Sequence, residues 1–308
     1  MALRRPRHLL SVTDLTPAEL EALLRQADVL KKDRTTHAQD LQGKALAFYT
    51  EKASTRTRLS FQAAIEQLGG HFMDMAGSQL GAGKEDARDS AQMVGLYADF
   101  LAARVFRHGL LEELAQHARI PVINALSDVE HPCQALADLQ TILAHKGPQA
   151  TVAYVGDGNN VCASLALACS MLGMCVRVAT PKGFELDAGI VKKCEGFGDF
   201  VKASHDPMQA VDGADVVYTD VWVSMGDEKE KDTRLRAFNG FQVDAALMKH
   251  AKKDAVFMHC LPAHKGLEVS RDVIEGRQSV VLDQAENRLH AQKALLMFLQ
   301  GASKTKQA

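Results

Sequence analysis

The chain is 308 residues long, 46% hydrophobic and 24% charged, with a formal net charge of −2 at pH 7. That length suits two domains of about 150 residues each, the composition supports a sizeable core, and the near-neutral charge carries no electrostatic signal for nucleic acid or a membrane surface. The longest apolar run, Leu165 to Val176, is too short to span a bilayer, and the basic start Arg4-Arg5-Pro6-Arg7 lacks the long apolar stretch of a secretory signal. In chain order, Thr16-Pro17-Ala18-Glu19 reads as a capping box with Pro at the first helical position. It predicts a helix with Leu20, Leu23, Leu24, Ala27 and Leu30 on one face. Strand-like runs then alternate with helical patterns: Ala45–Tyr49, Leu101–Phe106, Val152–Val155, Val176–Ala179, Val216–Tyr218, Val256–Met258 and Val280–Leu282. Such alternation predicts an α/β fold with mainly parallel sheets flanked by helices. A long helix from about Pro132 to His145 ends at Gly147, and a fresh strand-turn-helix series begins at Thr151. The domain hinge is therefore expected in or beside that helix.

Cysteines stand at 133, 162, 169, 175, 194 and 260, with no Cys-x-x-Cys pair and no Cys/His cluster of zinc spacing. The expectation is reduced thiols in a cytoplasmic protein, most of them small core residues.

Five segments carry chemistry. Ser54-Thr55-Arg56-Thr57-Arg58 follows a strand-like run and precedes the helical pattern Leu59, Phe61, Ala64, Ile65, Leu68. A helix start offers free N–H groups and the positive end of the macrodipole. Hydroxyls and planar guanidinium forks there suit phosphate oxygens, although an ordinary capped helix with arginines in water has the same letters. His131-Pro132-Cys133-Gln134 puts a histidine just outside a helix start and an amide in its first turn, placed either to grip a carbonyl and an amide or simply to cap. Val155-Gly156-Asp157-Gly158-Asn159-Asn160 invites a dinucleotide reading, but Val161 occupies the third glycine position and the next strand ends Ala179-Thr180-Pro181 without the expected acid. Asn160 is then a candidate for binding a carboxylate or an amine, with a plain cap the alternative for either Asn159 or Asn160. Asp220-Val221-Trp222-Val223-Ser224-Met225-Gly226 follows a strand, where ligands of open α/β sheets bind, and can hold an ammonium and a carboxylate; as a turn it needs no ligand. His259-Cys260-Leu261-Pro262 also follows a strand. Neighbours on a strand point to opposite faces, so His259 is poorly placed as a base for Cys260, and a ligand contact is favoured over a nucleophile.

Taken together and in this order, these motifs resemble the signatures of the aspartate/ornithine carbamoyltransferase family over nearly the whole chain. The Asp-Val-Trp-Val-Ser-Met-Gly loop and the His-Cys-Leu-Pro turn resemble its ornithine branch. The resemblance implies two Rossmann-like domains with the active site in the interdomain cleft, a catalytic homotrimer, and no metal or organic cofactor. It implies a carbamoyl phosphate-binding domain over 1–137, an ornithine-binding domain over 138–284, and a C-terminal helix over 285–308 that packs back on the first domain.

It further implies that Ser54, Thr55, Arg56 and Thr57 hold the phosphate, that Arg104 bridges phosphate and carbonyl oxygens, and that His131 and Gln134 contact the carbamoyl group. Gln79, in the glycine-rich Gly77-Ser78-Gln79-Leu80-Gly81, resembles a residue lent to a neighbouring subunit. Asn160, Asp220, Ser224 and Met225 resemble contacts to the amino-acid end of ornithine, Cys260 and Leu261 line the pocket near its δ-amine, and Arg288 in Glu286-Asn287-Arg288 resembles a further active-site arginine. Thr57, Arg104 and His131 would aim at a developing oxyanion. Two alternatives remain distinct. A carbamoyltransferase for putrescine or an acylated ornithine is disfavoured by Ser224-Met225-Gly226, since a free α-amino acid end needs those polar contacts. A non-enzymatic binder is disfavoured by the intact set of phosphate, carbonyl and amine groups.

Overall fold

Short runs, apolar and buried on both faces in the central strands, form two parallel sheets, and the segments between them form the crossover helices. The computed structural model describes residues 6–35, 37–51, 54–75, 77–81, 85–223 and 228–304. The chain divides into two units, residues 1–137 with 287–308, and residues 138–286.

In the first unit the strands are β1 (Ala45–Thr50), β2 (His71–Asp74), β3 (Phe100–Arg104) and β4 (Val122–Leu126), all parallel, in the order β2-β1-β3-β4. The helices are α1 (Pro17–Lys32), α2 (Thr55–Gln67), α3 (Ala87–Tyr97), α4 (His108–His117) and the start of α5 (Pro132–Lys146). The α1 capping box forms: Thr16 Oγ1 accepts the Glu19 N–H at 3.3 Å and the Glu19 carboxylate accepts the Thr16 N–H at 2.9 Å. Leu20, Leu23, Leu24, Ala27 and Leu30 are all buried. Arg7 grips the same Glu19, and chiefly because of that bond the carboxyl falls to about 2. One core of this unit gathers Ala47, Tyr49, Leu101, Ala103, Leu111 and Leu114, from β1, β3 and α4.

The second unit has β5 (Val152–Val155), β6 (Val176–Ala179), β7 (Val201–Ser204), β8 (Val216–Thr219) and β9 (Val256–His259), parallel in the order β7-β6-β5-β8-β9. Its helices are the rest of α5, α6 (Asn160–Met171), α7 (Ala188–Glu195), α8 (Pro207–Val211), α9 (Lys231–Ala237), α10 (Ala245–Met248), α11 (Arg271–Ile274) and the start of α12 (Val281–Lys304). α6 is apolar all round and buried from Val161 to Met171. Among the described residues no helix is long and apolar enough to cross a membrane.

Two expectations need correction. Val280–Leu282 is not a strand: Ser279 makes one bridge to Phe257, the Gln284 N–H bonds to the Val280 carbonyl, and α12 starts at Val281 with Leu282 exposed. The expected strand Leu101–Phe106 runs Phe100–Arg104 instead, so Phe106 lies beyond it, half exposed.

Each sheet reverses its order once. In the first, the chain runs outward through β1 and β2 and resumes at β3 on the other side of β1; in the second it runs through β5, β6 and β7 and resumes at β8 on the other side of β5. The carboxyl ends of β1 and β3, and of β5 and β8, are thus the switch points where open α/β sheets bind ligands.

Candidate active site

At the first switch point, Ser54 caps α2 with extended backbone but makes no side-chain capping bond. The first-turn N–H groups of α2 have no intrahelical partner by construction, and they form an anion site together with the positive helix end. Thr55 and Arg56 are exposed there, whereas Thr57 is buried. Arg58 is paired with Asp74 on β2. Gln79 is exposed in its loop.

Arg104 is the last residue of β3 and is 9% exposed. The pairing register with β4 shifts between Ala103 and Arg104, a bulge of the kind that re-aims a side chain at a strand end. The Arg104 carbonyl accepts the Glu51 N–H at 2.9 Å, which ties the ends of β1 and β3 together.

His131 lies between β4 and α5, buried, with its carbonyl accepting the Gln134 and Ala135 N–H groups of the first helical turn. A tight turn delivers it, closed by Ser127 N–H to the Glu130 carbonyl at 2.9 Å. Arg288 on α12 joins this group: one guanidinium nitrogen donates to Gln134 Oε1 and the other to Thr57 Oγ1, each at 2.9 Å. With Oε1 taken as an acceptor, the Gln134 amide presents its NH2 as the donor end. Burial, then the positive charges of Arg288 and Arg104, pushes the His131 imidazole well below its ordinary value. That disfavours the protonated ring; a neutral imidazole has one N–H and one acceptor nitrogen. Burial also pushes the Cys133 thiol up to about 12, which makes it an inert core residue.

At the second switch point the glycines serve packing, not a dinucleotide. Gly156 has φ +147, and a Cβ at Gly158 would lie 2.4 Å from the backbone nitrogen of Leu186. Asn159 caps α6, its Oδ1 accepting the Val161 N–H at 3.0 Å and the Cys162 N–H at 3.1 Å. Its Nδ2 is then fixed as a donor and bonds Asp220 Oδ2 at 2.9 Å. Asp220, buried just beyond β8, receives a second bond on Oδ1 from Cys260 Sγ, at 2.9 Å. The end of β8 is tied to β5 by Thr219 Oγ1 donating to the Val155 carbonyl at 2.6 Å. Asn160 is the first residue of α6, half-buried beside this cluster in sequence. Ser224 and Met225 lie outside the described residues.

Sequence reasoning weighed Asn159 only as a plain cap and passed over Asp157, Arg234 and Glu268. Asp157 accepts from Arg234 at 2.7 Å; Arg234 also bonds the Trp222 carbonyl at 3.2 Å and stacks on Phe184 with its guanidinium carbon 5.0 Å from the ring centroid. Those contacts tie Trp222 and Asp157 to α9. The signal available for Asn159 was its place as N-cap directly before Asn160; nothing in the spacing marked Arg234.

His259 is fully buried, and its ring does not bond the Cys260 thiol: Nδ1 accepts the Leu261 N–H at 2.9 Å and Nε2 lies 3.3 Å from Glu268 Oε1. Leu261 sits at φ 60, in the left-handed region, at a cost of about 1–2 kcal/mol for a side chain of its kind. Asp220, His259 and Cys260 bring potential ligand atoms within 4.8 Å of one another. As they stand, Cys260 donates to Asp220 and His259 Nδ1 accepts the Leu261 N–H, so a metal would have to displace both bonds.

Comparison with known proteins agrees with the motifs over nearly the whole chain. Residues 7–144 match the aspartate/ornithine carbamoyltransferase carbamoyl-P binding domain, and residues 148–299 match the family's Asp/Orn binding domain. An ornithine carbamoyltransferase of Thermococcus kodakarensis is 50% identical over 310 residues, covering 97% of this chain and 98% of that protein. The structure of ornithine carbamoyltransferase from Pyrococcus furiosus is similar with a TM-score of 0.90 and 47% identity, covering 96% of this chain and 97% of the other. That from Thermus thermophilus is similar with a TM-score of 0.87 and 46% identity, covering 96% and 99%. With both domain signatures matched in order and relatives of this identity aligned end to end, the chain belongs to the aspartate/ornithine carbamoyltransferase family.

Proposed function

We propose that the chain is an enzyme that transfers the carbamoyl group of carbamoyl phosphate to the δ-amine of L-ornithine, giving L-citrulline and phosphate, a reaction of arginine biosynthesis or degradation. The observation that carries this reading is the Arg288 tie: one buried guanidinium bonds Thr57 Oγ1 and Gln134 Oε1 at 2.9 Å each, beside a neutral His131. An array fixed before substrate arrives does not have to reorganise as charge develops, which is the main source of electrostatic catalysis.

In this reading Ser54, Thr55, Arg56 and Thr57 take the phosphate at the α2 start, and Arg104 and Arg288 balance its charge. His131 and the Gln134 amide orient the carbamoyl group. Asp220 receives an ornithine amine, with Asn160, Ser224 and Met225 on the amino-acid end and Cys260 and Leu261 near the δ-amine. The δ-amine attacks the carbamoyl carbon, the carbonyl oxygen becomes an oxyanion facing Thr57, Arg104 and His131, and the carbon–oxygen bond to phosphate breaks. Phosphate departs into a cationic site. Before attack the amine must lose a proton; with a lysine-like pKa of about 10.4, holding it neutral near pH 8 costs roughly 3 kcal/mol. Asp220 and Cys260 are the groups set to ease that loss, and the leaving phosphate can accept the later proton.

The test compares citrulline-type products from carbamoyl phosphate with ornithine, putrescine and N-acetylornithine side by side. Turnover confined to ornithine is expected; a preference for either other amine overturns the substrate assignment. The same reading includes a homotrimer in which Gln79 completes a neighbour's site. Mixing Arg56→Ala and Gln79→Ala proteins under subunit exchange should restore activity above both parents. If Gln79→Ala is impaired alone, exchange is demonstrated and nothing is restored, Gln79 acts within its own chain.

A further inference from the structure

We propose that Glu268 is a positioning residue for the acceptor end of this site, setting through His259 and the His264 backbone the turn that carries Cys260 and Leu261. The proposal rests on the reading of Asp220 and Cys260 as the amine-side groups.

Glu268 and His259 both have side chains with no solvent exposure. Burying a carboxylate is costly, and an apolar side chain of that size would fill the volume without the cost. What the carboxylate supplies is an acceptor for both ends of one turn. Its Oε1 takes the His264 N–H at 2.5 Å and faces His259 Nε2 at 3.3 Å. The tautomer follows from geometry. His259 Nδ1 accepts the Leu261 N–H at 2.9 Å, so the ring proton sits on Nε2 and is donated to Glu268.

Glu268 is itself held by backbone, since its carbonyl accepts the Val243 N–H at 2.9 Å and its neighbour Val269 accepts the Gly266 N–H at 2.8 Å. His259 is held from the other side by its own N–H, which donates to Gln284 Oε1 at 2.9 Å. Cys260 thus lies between two pinned residues, His259 and a Leu261 kept at φ 60. Its thiol donates to Asp220 Oδ1 at 2.9 Å. Two further titratable groups lie on the turn: the largely exposed His264 ring, with Nδ1 3.8 Å from Glu268 Oε2, and Lys265, which pairs with Glu275. Glu268 touches neither Asp220 nor the thiol in this arrangement; it acts on them through the turn.

The experiment uses three variants of the full chain. Glu268→Met keeps the volume and removes the acceptor; Glu268→Gln keeps an acceptor oxygen; His259→Asn keeps an acceptor for the Leu261 N–H and removes the donor to Glu268. Steady-state citrulline formation is read together with site-resolved iodoacetamide labelling of Cys260 by mass spectrometry. Glu268→Met should raise the ornithine KM by about tenfold or more, as expected for losing bonds to a charged acceptor, with the carbamoyl phosphate KM unchanged. Cys260 labelling should quicken, because the thiol is no longer held against Asp220. Glu268→Gln should restore both readouts toward wild type, and His259→Asn should fall between.

Wild-type behaviour of a folded Glu268→Met overturns the proposal. So does a Gln variant as impaired as the Met variant, or an equal rise in both KM values with labelling unchanged, which would mark a merely structural role. If the Met variant does not fold, the Gln and Asn variants decide: wild-type readouts in His259→Asn overturn it. If wild type makes no citrulline, the proposed function fails, and Cys260 labelling alone still decides whether Glu268 positions the turn.

Discussion

Asn159 offers the sharpest test of how the acceptor side is built, because two of its jobs can be separated. Its Oδ1 caps α6 while its Nδ2 donates to Asp220. Asn159→Ser leaves a hydroxyl oxygen able to cap, and Ser and Asn are near-equal N-caps, so the helix should lose only a few tenths of a kcal/mol. The 2.9 Å bond to a buried carboxylate disappears. A bond to a charged group contributes about 1.5–3 kcal/mol; at ~2 kcal/mol the loss in kcat/KM for ornithine is about thirtyfold. Asn159→Asp sharpens the contrast. Aspartate caps as well as asparagine and suits the helix dipole better, yet it sets a carboxylate against Asp220, a repulsion of up to about 4 kcal/mol at an effective dielectric of 20. The expected order of kcat/KM is wild type, then Ser, then Asp, with little difference in thermal midpoint between wild type and the Ser variant. Carbamoyl phosphate affinity, measured by calorimetry, should be unchanged in both. A Ser variant within twofold of wild type, or an Asp variant as active as the Ser variant, refutes the claim that Asn159 orients Asp220.

Arg56→Lys keeps the charge at the α2 start but loses the planar fork, so carbamoyl phosphate affinity should drop about tenfold with the fold intact; wild-type affinity by calorimetry sinks the bidentate role. Gly158→Ala should destabilise by about 1–3 kcal/mol, since its Cβ would lie 2.4 Å from the Leu186 nitrogen and 2.5 Å from the Glu185 carbonyl carbon, both backbone; denaturant midpoints read the loss. Glu19, whose carboxyl is held near about 2 chiefly by Arg7, contributes stability that is present above its ordinary value of 4.5 and is lost as pH falls from there toward about 2. The stability gap between wild type and Glu19→Gln in urea melts should therefore narrow across that acid window, and a gap independent of pH would show that the pair contributes nothing.

Much of the fold was legible because central parallel strands are buried on both faces and read as continuous apolar runs. The central strands β1, β3, β5 and β8 were all visible in this way, as were β6 and β9. The strands that pattern reading missed are β2, β4 and β7, each at the edge of its sheet. β2 and β7 carry exposed residues and polar letters, and β4 is interrupted by Asn124. The false strand at Val280–Leu282 has the complementary cause: three apolar residues entering a helix have the same local pattern as a strand, and only the i→i+4 bond from Gln284 to Val280 decides between them. In the site, residues at helix starts and strand ends were legible from their flanking pattern. Glu268 and Arg234 were not, because they act from irregular or distant segments, Arg234 reaching Asp157 across 77 positions.

A shared rule underlies the two switch points. Asp220 is fixed by two neutral donors, the Asn159 amide and the Cys260 thiol, which set its geometry without cancelling its charge. Arg288 donates to two neutral acceptors, the Thr57 hydroxyl and the Gln134 amide, with the same result for the opposite sign. Ion pairs in those positions would hold the side chains equally well but would compete with a charged substrate for them. In the proposed reading, Asp220 so held would meet an amine and Arg288 so held would meet a phosphate. For His131, a third positive charge near Arg288 and Arg104 would be costly, and in the proposed mechanism a neutral imidazole would still offer an N–H to a developing oxyanion. Because burial and these two arginines lower its value, the unfolded chain takes up the proton first as pH falls below 6.5, so this histidine makes the fold less stable with acid.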